Sequence, residues 1–75
     1  MITNNMRLDA FLQHIPQDVP VLLFDLAAKD ASKRLYPDAP TARCELETQG
    51  EEGRVINWDY KPLVRRYVIA WVPVL

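Results

Sequence analysis

The chain has little of what small domains use to staple themselves or to do chemistry. One of its 75 residues is cysteine, Cys44, so no disulfide can close within it. One is histidine, His14, and a lone Cys with a lone His is no ligand set for structural zinc. The two glycines, Gly50 and Gly53, are too few for a glycine-rich phosphate loop. The only serine, Ser32, has no flanking glycine to form a nucleophile elbow. Neither sign of charge prevails: nine Lys and Arg stand against ten Asp and Glu, a net charge of −1, so nothing drives the whole chain toward nucleic acid or an anionic membrane. No apolar run approaches the ~18 residues needed to span a bilayer. The opening MITNNMRLDAF lacks the basic-then-apolar pattern of a secretory signal. These absences lead us to expect a cytoplasmic, non-enzymatic protein with no cofactor, no metal and no membrane partner.

What the chain does have is apolar content, 49% by residue, enough for one small domain with a core rather than disorder. A chain of this size buries only about 60% of the surface its unfolded form exposes, so a well-filled core or a partner subunit must stabilise it. The stretch LDAFLQHIPQDVPVLLFDL shows where that core starts. Leu8, Phe11, Leu12 and Ile15 share one helix face, Asn4 or Asn5 is placed to cap a 5–15 helix, and Pro16 stops it near His14. After a tight Gln17-Asp18-Val19 connection, Val21 to Leu26 reads as a strand apolar on both faces. Val21 and Leu23 lie on one face; Leu22, Phe24 and Leu26 lie on the other. The connection is short, so the helix is expected to pack back on this strand.

Residues 27–40 read either as a short helix or as a polar loop. Thr41 to Thr48 alternates, with Ala42, Cys44 and Leu46 facing inward, and predicts a half-buried strand. Gln49 to Gly53 then forms a hairpin loop. Arg54 to Tyr60 pairs back with Ile56, Trp58 and Tyr60 inward, and Leu63 to Val72 makes the last strand. The expected fold is α+β, an N-terminal helix packed on a three- to four-stranded, mainly antiparallel sheet. Its expected core is Leu8, Phe11, Leu12, Ile15, Val21, Leu23, Phe24, Cys44, Leu46, Ile56, Trp58, Val68, Ala70 and Val72.

Residues with chemical potential are few. His14 reads as a surface residue near a helix end, and Cys44 as a buried structural thiol. Glu45 and Glu47 share a strand face, but no third oxygen ligand can be placed beside them. The basic residues fall in groups, Lys29/Lys33/Arg34 and Lys61/Arg65/Arg66. Lys29, Lys33, Arg34, Lys61 and Arg66 would serve an accessory nucleic-acid-binding role, with Trp58, Tyr60 and Tyr67 near for stacking. Direct nucleic-acid binding is nevertheless not expected, because no helix carries a clustered basic face. The acidic residues form the more coherent patch. Glu45, Glu47, Glu51 and Glu52 fall between Cys44 and Arg54 with no base among them, and could meet a basic groove on a partner. With Arg43 and Trp58 they make up the candidate partner-binding set. The uncharged C-terminal run from Tyr67 to Leu75 is expected to be central in the sheet or to form a homodimer or partner contact.

In Leu8, Phe11, Leu12, Ile15, Pro16, Asp18 and Val21 to Phe24, the chain resembles small α+β proteins of bacteriophages and other mobile elements. Those proteins open with a Leu-x-x-Phe-Leu helix, an Ile-Pro-x-Asp turn and an apolar strand. The resemblance covers about a quarter of the chain and carries no catalytic residue. It implies a host bacterial cytoplasm and a protein that binds and inhibits a host defence complex, protein or protein–RNA, in the manner of anti-CRISPR inhibitors.

Overall fold

The computed structural model describes residues 6–28 and 32–74. Along the chain come α1 (Leu8–His14), β1 (Val21–Asp25), β2 (Ser32–Tyr36), α2 (Ala39–Thr48), β3 (Gly53–Lys61) and β4 (Arg66–Pro73). The strands form one mixed sheet in the order β2-β1-β4-β3. β1 pairs antiparallel with β2 and parallel with β4, and β3 pairs antiparallel with β4. The fold is thus α+β with helices on a four-stranded sheet, and one of its three pairings is parallel.

α1 ends where its sequence predicts but starts later than the expected residue 5, because Arg7 is still extended and bridges Arg54. Leu8, Phe11 and Leu12 are buried, and Ile15 is already extended, as the residue before Pro16 must be. Arg7 occupies the cap position without a side-chain cap bond, and Asn4 and Asn5 lie outside the described residues. The helix packs chiefly on α2 and β3 rather than on β1.

The middle of the chain departs most from expectation. Part of the 27–40 segment is an edge strand, β2, because Arg34 and Tyr36 alternate against Lys33 and Leu35. Thr41 to Thr48 is helix, not strand. The Asp38 side chain accepts the Thr41 backbone N–H at 2.8 Å, which caps α2, and Pro40 in the first turn gives up no hydrogen bond the helix needs. Its inward residues are Ala39, Ala42 and Leu46, while Cys44 is exposed. Alternation and helical spacing agree on Ala42 and Leu46; the capping sequence Asp38-Ala39-Pro40 breaks the tie.

Residues 49–53 therefore join a helix to a strand and form no hairpin. Gly50, at φ 67°, sits past the C-cap residue Gln49. The Glu51 N–H reaches the Leu46 carbonyl at 2.8 Å, and the Gly50 N–H reaches that of Glu47 at 3.1 Å, the paired bonds of a Schellman stop.

Two register effects re-sort the rest of the expected core. A bulge between Val55 and Asn57 turns Val55 and Trp58 toward the helices and leaves Ile56 38% exposed. Residues 62–65 form the β3–β4 turn, so β4 starts later than expected and buries Ile69 and Trp71. The helix-side rows read Tyr36–Val21–Tyr67–Tyr60 and Arg34–Leu23–Ile69–Trp58 across the sheet. The opposite rows read Leu35–Leu22–Val68–Asp59 and Lys33–Phe24–Ala70–Asn57. Of the expected core, Phe24, Val68, Ala70 and Val72 are half-buried on this outer face. Tyr36, Ala39, Ala42, Val55, Ile69 and Trp71 join the core instead, and Trp58 packs partly buried against it. The run from Tyr67 onward is central in the sheet through β4, while Leu75 lies outside the described residues.

Candidate functional site

The start of α1, the last turns of α2 and the loop leading into β3 enclose an open groove of about 580 Å³. Leu8, Leu46 and Gly53 contribute its apolar lining, and Glu47, Glu51 and Glu52 supply acid. Arg7, Asp9 and Arg43 complete its charged wall. Four of the six residues singled out from the sequence thus meet in one place, although two of the four, Arg43 and Glu47, reach it from a helix and not from a strand face. Glu45 stands on the neighbouring face of α2. Trp58 does not line the groove; it stacks in the helix-side layer, 5.4 Å from the Phe11 ring centroid and 6.1 Å from that of Tyr67.

The acids are not equivalent. Arg34 reaches from β2 to both Glu51 carboxylate oxygens at 3.2 Å and donates to Gln49 Oε1 at 3.2 Å. Its guanidinium also stands 3.8 Å from Glu45. Burial opposes the charge on Arg34, but its bond to Glu51 and the surrounding charges hold its pKa above the ordinary value. Glu45 and Glu51 are therefore structural anchors that fasten the end of α2 and the following loop to the sheet edge. Among the described residues Glu52 pairs only with Arg7, at 4.0 Å between two exposed groups, a pairing worth little in water. Glu47 is exposed and has no ion-pair partner among the described residues. Of the three glutamates in the groove, Glu47 and Glu52 face solvent; Asp9, also exposed, pairs with Arg7 at 3.3 Å.

Arg34 has no local sequence signal except its alternation with Tyr36. Beside it, the Tyr36 hydroxyl is buried without a hydrogen-bond partner. Burial, then the adjoining Glu45 carboxylate, pushes that phenol up to about 12.

The other chemical candidates do not converge. His14 and Cys44 are exposed and line no part of the groove. Among the described residues no cluster of three or more His, Cys, Asp or Glu could hold a metal ion. No helix among them is long and apolar enough to cross a membrane. The basic groups are dispersed: Arg34 is tied to Glu51 on the helix side, and Lys33 sits on the outer face, 5.4 Å from the Phe24 ring centroid. Lys61 pairs with Asp59 at 2.9 Å, and Lys29 lies outside the described residues. No protein-family model, curated protein or solved structure matches this chain.

Proposed function

We propose that this protein is a non-catalytic binding module that docks a basic surface of a partner protein into the groove between α1 and α2. The observation that carries this reading is the gathering of Glu47, Glu51 and Glu52 on one open groove, with Glu47 and Glu52 free of strong pairing among the described residues. Arg34 supports the same reading, because it neutralises the two inner acids and fixes the backbone that carries the outer two. In the context implied by the N-terminal resemblance, the partner is a component of a bacterial host's defence complex, protein or protein–RNA, and inhibition follows from occupying its basic groove. Cys44 and His14 take no part.

The test separates binding from folding. Glu47→Lys with Glu52→Lys changes exposed groups and should leave the melting temperature near wild type. Used as bait in host lysate, the double variant should lose a protein that the wild type retains. The wild-type capture should weaken steeply with salt, as charge-steered contacts do. Equal retention by both baits, or salt-independent capture, refutes the acidic-groove reading.

A further inference from the structure

We propose that the outer face of the sheet is a self-association surface, occupied by the same face of a second copy of this chain. Both helices and the whole buried core lie on one side of the sheet. On the other side, Leu22, Phe24, Val68, Ala70 and Val72 run down the two central strands half-buried, flanked by Leu35 at 55% exposure and Ile56 at 38%. Four strands ~4.8 Å apart, crossed by three side-chain rows ~6.8 Å apart, present about 400 Å² of plane. Corrugated by side chains, this is on the order of 600–700 Å² of accessible area per copy, close to the ~800 Å² per partner of a standard stable interface.

The strand order supplies the self-complementarity. A two-fold axis between β1 and β4, parallel to the strands, lays each row on itself reversed. In the row Leu35–Leu22–Val68–Asp59, Leu22 meets the partner's Val68 and Leu35 comes over the partner's Asp59. In the row Lys33–Phe24–Ala70–Asn57, the bulky Phe24 faces the partner's small Ala70, and Lys33 comes over the partner's Asn57. Large side chains thus meet small ones; the acid of the described face, Asp59, is paired within its own chain to Lys61 at 2.9 Å, so the match is one of shape and not of charge. Arg54 pairs with Val72 at one end of the face; at the other end Arg66 stands beside Lys61, and its Nε is buried without a hydrogen-bond partner. The aromatic residues that would stack bases, Trp58, Tyr60 and Tyr67, lie on the helix side, so an aliphatic protein surface suits the outer face better than nucleic acid.

Sedimentation velocity on the full chain tests the proposal. At about 100 μM, well above a micromolar Kd, the wild type should sediment at twice the 8.7 kDa chain mass. Leu35→Glu is tolerated by the monomer because the position is exposed, yet it carries a charge into the apolar contact, beside the partner's paired Asp59 and the partner's Lys61. It should raise the dissociation constant by at least about tenfold. Leu35→Met, which keeps the position apolar, should change it by less than about threefold. A monomer at about 1 mM overturns the proposal, as does a dimer insensitive to Leu35→Glu. Equal weakening by the Met and Glu variants overturns the placement of Leu35 in the contact.

Discussion

Gly53→Ala probes a close approach of backbone to a buried ring. Gly53 opens β3 opposite Pro73, directly under the indole of Trp71, which is 1% exposed. A Cβ at this position would overlap Trp71 Cε3 outright, and it would stand 2.7 Å from Cζ3 and 3.2 Å from the Val72 carbonyl oxygen. Backbone strain is not the cause, since Gly50 is the glycine with positive φ. The indole must therefore move, or β3 must lift from β4. Overpacking by one carbon in a filled core costs about 1–3 kcal/mol, and displacing the ring forfeits part of the ~3–5 kcal/mol that truncating a buried aromatic removes. We expect a loss of about 2–4 kcal/mol. In a domain of this size, that lowers the melting temperature by roughly 10–25 °C. Urea and thermal unfolding followed by tryptophan fluorescence measure it. Trp71→Phe, which removes the clashing ring, should recover part of the loss in the Gly53→Ala background. Gly50→Ala is the control: nothing stands within 4 Å of its Cβ position, so it should cost only the ~1–2 kcal/mol of the left-handed backbone. A Gly53→Ala protein within ~0.5 kcal/mol of wild type, or one less affected than Gly50→Ala, refutes the argument.

Arg34→Met keeps the aliphatic stem but unties β2 from the end of α2. With the side chain 29% exposed, the expected loss is about 1 kcal/mol in urea midpoint analysis, and no loss would show that the pairing is ornamental. Tyr36 makes stability fall in alkali: its phenol titrates near 12 in the fold against an ordinary 10.0. The native state therefore favours the protonated form. That contribution is complete below pH 10.0 and is lost as pH rises toward about 12. Tyr36→Phe should abolish this alkaline loss and, because the hydroxyl has no partner, leave neutral-pH stability within about 1 kcal/mol of wild type. Urea midpoints measured across the alkaline range decide it, and an unchanged slope in the variant would sink the assignment.

What the sequence discloses is local order at its two ends. The i, i+3, i+4, i+7 spacing from Leu8 to Ile15, the stop at Pro16 and the apolar run from Val21 determine α1 and β1 without help from the rest of the chain. The β-branched run in β4 likewise identifies a buried strand. α2 is ambiguous by apolar pattern because Ala42 and Leu46 satisfy both a period of two and a spacing of four; the Asp38-Ala39-Pro40 cap distinguishes them, and apolar periodicity does not. The β3 register could not be read because a bulge adds a residue without any Gly or Pro to mark it, which exchanges the inward roles of Val55 and Ile56. For the site, the acids were legible as a charge run between Cys44 and Arg54. Their division into anchored and free pairs was not, because it is decided by Arg34 on a strand 17 positions before Glu51.

The same division bears on how one small chain can bind a partner with useful strength. Groove and outer face lie on opposite sides of the sheet, so occupying one does not obstruct the other. A pair of copies stacked through their sheets carries two acidic grooves directed outward. A target that offers two basic surfaces then meets the second groove at an effective concentration set by the rigid pair rather than by bulk solution, and avidity rises with no new contact. On this argument Leu35→Glu, which leaves every groove residue intact, should weaken capture of a multivalent target far more than capture of an isolated subunit. The double change at Glu47 and Glu52 should weaken both alike. That contrast separates a module that works singly from one that works as a pair.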